Sequence, residues 1–357
     1  MRHKALMSAI DANLNRAQEG LRVCEDLLRF SLRRVDLSER LKELRHRVAS
    51  VGGAVPSDLL LGGRDVEGDR QKFIESGREG SRGSLEDILS ANMHRAMEAT
   101  RSLEEFMKLA GEKDASARFR EIRFALYDME RAAVSAIRRS DRLASMMQGV
   151  CAVMNVGHWS SEAAIKRARA ALHAGASSVR IASAGVSDLL FLDAVRMMVG
   201  TFGAASIIVD ERADIAFCAA AGGVHLSKDS IGCTNARTIL PLDAVIGADV
   251  SHPDDAARIA GAGADYLALR PLSIAGLSGD MNIIRLCNQT SGAPILAVGE
   301  MTPENAIAAI EAGAAAVAVF CDDSDESAIA ERVRAVKQAI ENHLPSDAKP
   351  EGTNNER

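Results

Sequence analysis

Asn13, Arg16 and Glu19 follow one another at three-residue steps, and the same three types return at Asn92, Arg95 and Glu98. An amide, a guanidinium and a carboxylate on successive turns of a helix are groups that can hold a small anionic ligand. Arg22 and Glu25 recur as Arg101 and Glu104, and Ala12 and Ala17 as Ala91 and Ala96. Seven identities at one offset therefore join residues 12–28 to residues 91–107. A repeat of this kind outranks any local reading, and the first half of the chain is a duplication.

Both copies must be helices to position those groups. Ala17, Leu21, Cys24 and Leu28 form an apolar stripe at i, i+4, i+7 and i+11, and the second copy keeps Ala96, Thr100, Leu103 and Met107 in those places. Asn13, Arg16 and Glu25 are expected to border the stripe, with Glu19 and Arg22 further round. Pairs such as Arg16 with Glu19 or Glu19 with Arg22 stabilise a helix by only about 0.2–0.5 kcal/mol. That is too little to account for two copies retaining the same polar set. The plainer alternative, a solvated and salt-bridged face, applies best to Glu19 and Arg22. Residues 40–48 and 119–133 read as further helices, and Glu43, Leu44 and Arg45 are echoed by Glu121, Ile122 and Arg123. The first half is thus expected to be an all-α bundle of two duplicated hairpins.

Between the copies, residues 61–70 and 75–84 mix glycine, arginine and acids and read as loops. There Arg64, Arg78 and Arg82 are candidates for holding phosphoryl oxygens, and Asp65 and Asp69 for holding magnesium. A polar connector without function explains the same composition. No P-loop signature is present.

Length and composition set the frame. The 357 residues suit two domains, and 47% hydrophobic content is ordinary for a globular protein. A net charge of −6 argues against nucleic-acid binding. Six cysteines with no CxxC pair point to reduced core thiols, and no membrane-span or signal-peptide run is present, so a cytoplasmic protein without a membrane partner is expected. The sequence is compatible with a homo-oligomer.

The pattern changes at residues 138–149, read as a junction between a domain over 1–145 and another over 146–343; residues 344–357 read as a disordered tail. Eight short apolar runs follow, ending in CAVMNV, SVRIA, SIIVD, GVHLS, AVIGADV, YLALRP, PILAVG and AVAVFC, with helical stretches between most of them. That alternation predicts an α/β (β/α)8 TIM barrel, with a doubly wound open sheet as the rival. Chemistry in such a barrel sits at the carboxyl ends of its strands.

Residues 209–229, 261–271 and 294–319 resemble thiamine-phosphate synthase, and the first half, with its two repeat helices and GGRDVEGD, resembles the helical domain often fused ahead of that synthase. The resemblance implies hydroxymethylpyrimidine-phosphate kinase activity in the helical domain, with ATP as co-substrate and Mg2+. Asn13, Arg16, Glu19, Asn92, Arg95, Glu98, Arg64, Asp65 and Asp69 form the pool of its site residues. For the barrel it implies a pyrimidine diphosphate that loses pyrophosphate before a thiazole phosphate attacks, with magnesium on Asp210, Glu211 and Asp229. The partners implied are small-molecule pyrimidine and thiazole phosphates.

The barrel departs from the family pattern at its strand ends. The family's Q-L-R-E-K is replaced by the run from Arg180 to Ala184, a downstream lysine gives way to Ser278, and Glu300 and Asp322 stand where backbone amides hold phosphate. A carboxylate beside a phosphate without a cation costs about 1 kcal/mol in water and several in a sheltered site. The expectation is a thiamine-biosynthesis enzyme whose helical domain is the kinase and whose barrel is weak or inactive. The alternatives are an active synthase and a non-catalytic scaffold. His225 reads as a packed strand-end histidine.

Overall fold

The structure, a computed structural model, describes residues 2–63, 82–157, 160–183, 185–270, 277–322 and 325–343. Two compact units emerge, Met1–Ser140 and Asp141–Arg357.

In the first unit α1 (Arg2–Asp26) ends in a π-helical turn at Leu27–Ser31, and α2 (Val35–Gly52) and α3 (Ser57–Gly63) follow. The second copy is α4 (Leu85–Leu109) and the start of α5 (Lys113–Met146). Ser84 caps α4 by accepting a hydrogen bond from the Asp87 amide. All eight stripe residues are fully buried. Leu41, Leu44 and Val48 of α2 match Phe119, Ile122 and Leu126 of α5, and all six are buried too. Gly20 sits against Asn92, where a Cβ would come within 2.8 Å of a backbone oxygen, and the Cys24 thiol faces the Leu89 carbonyl at 3.6 Å. The helices α1 and α4 therefore run antiparallel, with Ala17 opposite Ala96. These are the two copies of one repeat position, so the internal two-fold axis passes between them.

The second unit closes into an eight-stranded parallel barrel. Its strands are β1 (Gly149–Asn155), β2 (Ser178–Ala182), β3 (Ile207–Asp210), β4 (Gly223–Leu226), β5 (Val245–Val250), β6 (Tyr266–Leu269), β7 (Ile295–Val298) and β8 (Ala316–Phe320). Helices α6 (Ser161–His173) to α13 (Glu326–His343) alternate with them, and closure excludes the open sheet. Register aligns Asp210, His225, Gly247 and Tyr266 across four neighbouring strands, at one level of the barrel. Met146 plugs the amino end, and its carbonyl accepts hydrogen bonds from the Ser177 and Ser178 hydroxyls.

One expectation about loops needs correction. Residues 61–63, read as the start of a loop, are the last turn of α3, where Gly63 packs with a would-be Cβ 2.9 Å from the Ser8 amide. The boundary between the two units falls after Ser140, and α5 continues through it to Met146 before β1 begins at Gly149, whose φ of 76° favours glycine. Among the described residues no helix is long and apolar enough to cross a membrane.

Candidate active sites

In the helical unit the repeated residues divide into those that build the fold and those that face outward. Asn13 and Asn92 are alike: each side-chain amide donates to the carbonyl four residues back, Ala9 and Ile88, at 2.8 Å. Glu25 and Glu104 are buried and matched in their surroundings. The Ser38 and Ser116 hydroxyls donate to their backbone carbonyls, and Arg45 and Arg123 reach their carboxylates at 3.0 and 3.2 Å. Burial raises the pKa of Glu104, but Arg120, Arg101 and Arg123 more than reverse this and hold it at about 2. Burial pushes the Cys24 thiol up to about 12, consistent with an inert core thiol.

Arg16, Glu19, Arg95 and Glu98 are exposed. For Arg16 this differs from the expected place at the edge of the core: it forms no ion pair with a described residue, and its charge stays in water. The anticipated pair of Glu19 with Arg22 does not form either. Arg22 turns the other way, towards Glu25 at 3.3 Å and Asp26 at 3.2 Å. Its turn opens a shallow cleft of about 450 Å³ lined by Asn15, Gln18, Glu19, Arg22, Val23 and Arg45. The sequence marks Arg22 and Arg45 as repeated residues without placing them in a site; the available signal is the three-residue step from Arg22 to Glu25, kept from Arg101 to Glu104. Arg64, Arg78, Asp65 and Asp69 lie outside the described residues. Arg82 is exposed, two residues before the Ser84 cap.

The barrel interior carries a different arrangement. Arg180, on β2, forms an ion pair with Asp210 at the end of β3, and this neighbour raises its pKa despite burial. His225 is fully buried between Tyr266, whose hydroxyl is 3.0 Å from Nδ1, and Asp249, 3.0 Å from Nε2. Burial and the Arg180 charge lower the His225 pKa, so the ring is neutral; Nε2–H then donates to Asp249 and Nδ1 accepts from the Tyr266 hydroxyl. Asp249 stays below the ordinary carboxylate range: burial opposes this, and His225, Arg180 and Arg270 outweigh it. Gly247 makes room for the Tyr266 ring, which would lie 2.0 Å from a Cβ there.

The three acids implicated in metal binding are engaged separately. Asp210 is engaged by Arg180, the Glu211 carboxylate accepts from the Ser227 amide at 2.8 Å, and Asp229 is exposed. Among the described residues no three His, Cys, Asp or Glu side chains are grouped to hold a metal. As placed, Asp210, Glu211 and Asp229 do not fit a magnesium cage. At the other side of the mouth, a cleft of about 670 Å³ brings Glu300 together with Arg270 and Arg332. Asp322 is held by the backbone and side-chain amides of Asn155, at 3.0 and 3.2 Å.

A helical domain ahead of a (β/α)8 barrel with polar strand ends has the build of a two-part enzyme, and comparison with known proteins gives its kind. Residues 8–132 match the model of the ThiD2 family, and residues 150–322 match that of thiamine monophosphate synthase. A thiamine-phosphate synthase of a Synechococcus species is 33% identical over 87% of this chain and 89% of its own length. That of a Synechocystis species is 30% identical over 88% of this chain and 90% of its own. Among solved structures, thiamine phosphate pyrophosphorylase from Pyrococcus furiosus covers 57% of this chain at 20% identity, with a TM-score of 0.48. The chain belongs to the thiamine-phosphate synthase family, with a ThiD2-family domain at its amino end. It is a transferase of thiamine biosynthesis.

Proposed function

We propose that the helical domain transfers a phosphoryl group from ATP to hydroxymethylpyrimidine phosphate, in the first-copy cleft, and that the barrel contributes little synthase activity. The observation that carries this is the cleft itself, where two guanidiniums anchored on one buried carboxylate stand beside two side-chain amides. The acceptor in this reaction is a phosphate oxygen, already ionised at neutral pH, so no strong base is needed. Positioning and charge neutralisation supply the rate instead. Arg22 and Arg45 would hold the phosphoryl oxygens, each fixed by Glu25 through one nitrogen. Asn15 and Gln18 offer the paired donor and acceptor that an aminopyrimidine edge presents in reverse. Magnesium brought by the nucleotide would supply charge neutralisation at the phosphoryl oxygens that Arg22 and Arg45 hold.

The barrel reading rests on the ion pair of Arg180 with Asp210, which ties up a strand-end carboxylate that magnesium would need. Incubating the purified protein with ATP, Mg2+ and hydroxymethylpyrimidine phosphate should give the diphosphate. No product, under conditions where a known kinase works, refutes the kinase reading.

A second reading has its own support. Arg270 and Arg332 share a cleft with Glu300, so the acid there does not face a phosphate alone, and the relatives that match most of the chain bear the synthase name. In that reading the barrel joins hydroxymethylpyrimidine diphosphate to thiazole phosphate. Growth of a synthase-deficient strain carrying this gene supports it, and soluble protein without rescue counts against it.

A further inference from the structure

The two buried glutamates of the repeat are surrounded alike in position but not in charge. In the first copy Glu25 and Asp26 are met by Arg22 and Arg45, two acids against two cations. Arg29 and Lys42, on the same copy, form no ion pair with a described residue. In the second copy Glu104 and Glu105 draw in all four corresponding cations. Arg101 lies 2.9 Å from Glu104 and 2.7 Å from Glu105, and Lys108 lies 3.6 and 2.7 Å from the same two. Arg120 lies 2.9 Å and Arg123 3.2 Å from Glu104. Four cations converge on two carboxylates, which leaves an excess of positive charge at one point of the surface.

The geometry also leaves donors over. Arg120 touches Glu104 through Nε alone, so its two terminal nitrogens are unengaged, and its side chain is 56% exposed. Arg101 reaches both acids through Nη1, and its side chain is 52% exposed. Arg123 sits deeper, with one terminal nitrogen donating to the Tyr127 hydroxyl at 3.0 Å and the other to Glu104 at 3.2 Å, and it adds its charge to the group. A carboxylate that is 1% exposed at the base of such a group holds the guanidiniums in place without facing the ligand. Planar, fixed and partly exposed guanidiniums match the oxygens of a phosphoryl group.

We propose that Arg101, Lys108, Arg120 and Arg123, organised by Glu104, form a binding site for a phosphoryl anion. Because α1 and α4 run antiparallel and the glutamates lie near their carboxyl ends, this site is at the opposite end of the helix pair from the first-copy cleft. It does not depend on the kinase reading, since it is read by binding alone.

The test uses full-length protein carrying Arg45→Gln, which weakens anion binding in the first-copy cleft, and calorimetric titration with pyrophosphate at constant ionic strength. Pyrophosphate is expected to bind, and adding Arg120→Gln with Lys108→Gln is expected to weaken it about tenfold or more. Both changed side chains are largely exposed, and unchanged circular dichroism confirms that the fold is retained. Parallel titrations with inorganic phosphate and ATP separate the sources: tighter ATP binding marks a nucleotide site, and equal binding marks a free-phosphate site. Pyrophosphate that fails to bind the Arg45→Gln protein, or that binds undiminished after the double change, overturns the proposal.

Discussion

The two halves of this protein treat their polar side chains in opposite ways. In the helical unit, buried Glu25 and Glu104 hold arginines from below, and other groups such as Arg16, Glu19, Arg95 and Glu98 stay at the surface with no ion pair to a described residue. In the barrel, polar groups at strand ends pair with each other: Arg180 with Asp210, His225 with Asp249 and Tyr266, Asp322 with Asn155. A side chain whose hydrogen bonds are already satisfied inside the protein must lose them to bind a ligand, whereas an oriented guanidinium with spare donors need not. Family resemblance alone does not reveal this difference, because it lies in which charges meet.

The largest expected effect is on the barrel. Asp210→Asn leaves Arg180 buried without its counter-charge, and a loss of about 3–5 kcal/mol in barrel stability is expected. Replacing both, Arg180→Leu with Asp210→Asn, should restore most of that loss; denaturant unfolding followed by Trp159 fluorescence reads it. If Asp210→Asn is neutral, the pair is not fixed as described.

Next in size is the helical cleft. Arg45→Gln should lower kcat/KM for diphosphate formation about 100-fold, or roughly 3 kcal/mol of transition-state stabilisation, at a temperature where circular dichroism shows the variant folded, Glu25 keeping Arg22 as its counter-charge. Unchanged kcat/KM in the folded variant would mark Arg45 as structural only.

Acid should separate the two halves. A buried neutral histidine with a lowered pKa favours the folded state above the ordinary value near 6.5, so the His225 contribution is lost as pH falls through that value. Glu104 has a depressed pKa of about 2, so its contribution is complete above about 4.5, its ordinary value, and is lost only as pH falls from there towards 2. The barrel should therefore weaken at a higher pH than the helical unit. Amide exchange measured at pH 7, 5.5 and 4 checks the order. Glu104→Gln should flatten the lower-pH part for the helical unit only.

The smallest effect belongs to Arg16. It makes no hydrogen bond or ion pair with a described residue, so Arg16→Ala should change stability by under about 0.5 kcal/mol. A larger loss would show that it borders the core after all.

The fold was legible because it rests on periodicity. Each of the eight apolar runs became a strand, and the repeat stripe was buried in both copies, since burying one face is what such spacing requires. The sites were less legible for a physical reason. Arg180 and Asp210 are 30 residues apart, and only the stagger of neighbouring strands turns them towards each other. Arg332 reaches the strand ends from α13, donating to the Phe320 carbonyl at 2.7 Å, so the strand-end loops of the sequence do not reveal it. Arg22 had two acidic directions available, towards Glu19 or towards Glu25 and Asp26. Spacing allows both, and the buried Glu25 carboxylate decides between them.

The most direct test of the account is one reaction followed by mass spectrometry: full-length protein, ATP, Mg2+, hydroxymethylpyrimidine phosphate and thiazole phosphate together. The account predicts that hydroxymethylpyrimidine diphosphate accumulates while thiamine phosphate lags far behind. Thiamine phosphate formed as fast as the diphosphate, or no diphosphate at all, would contradict it.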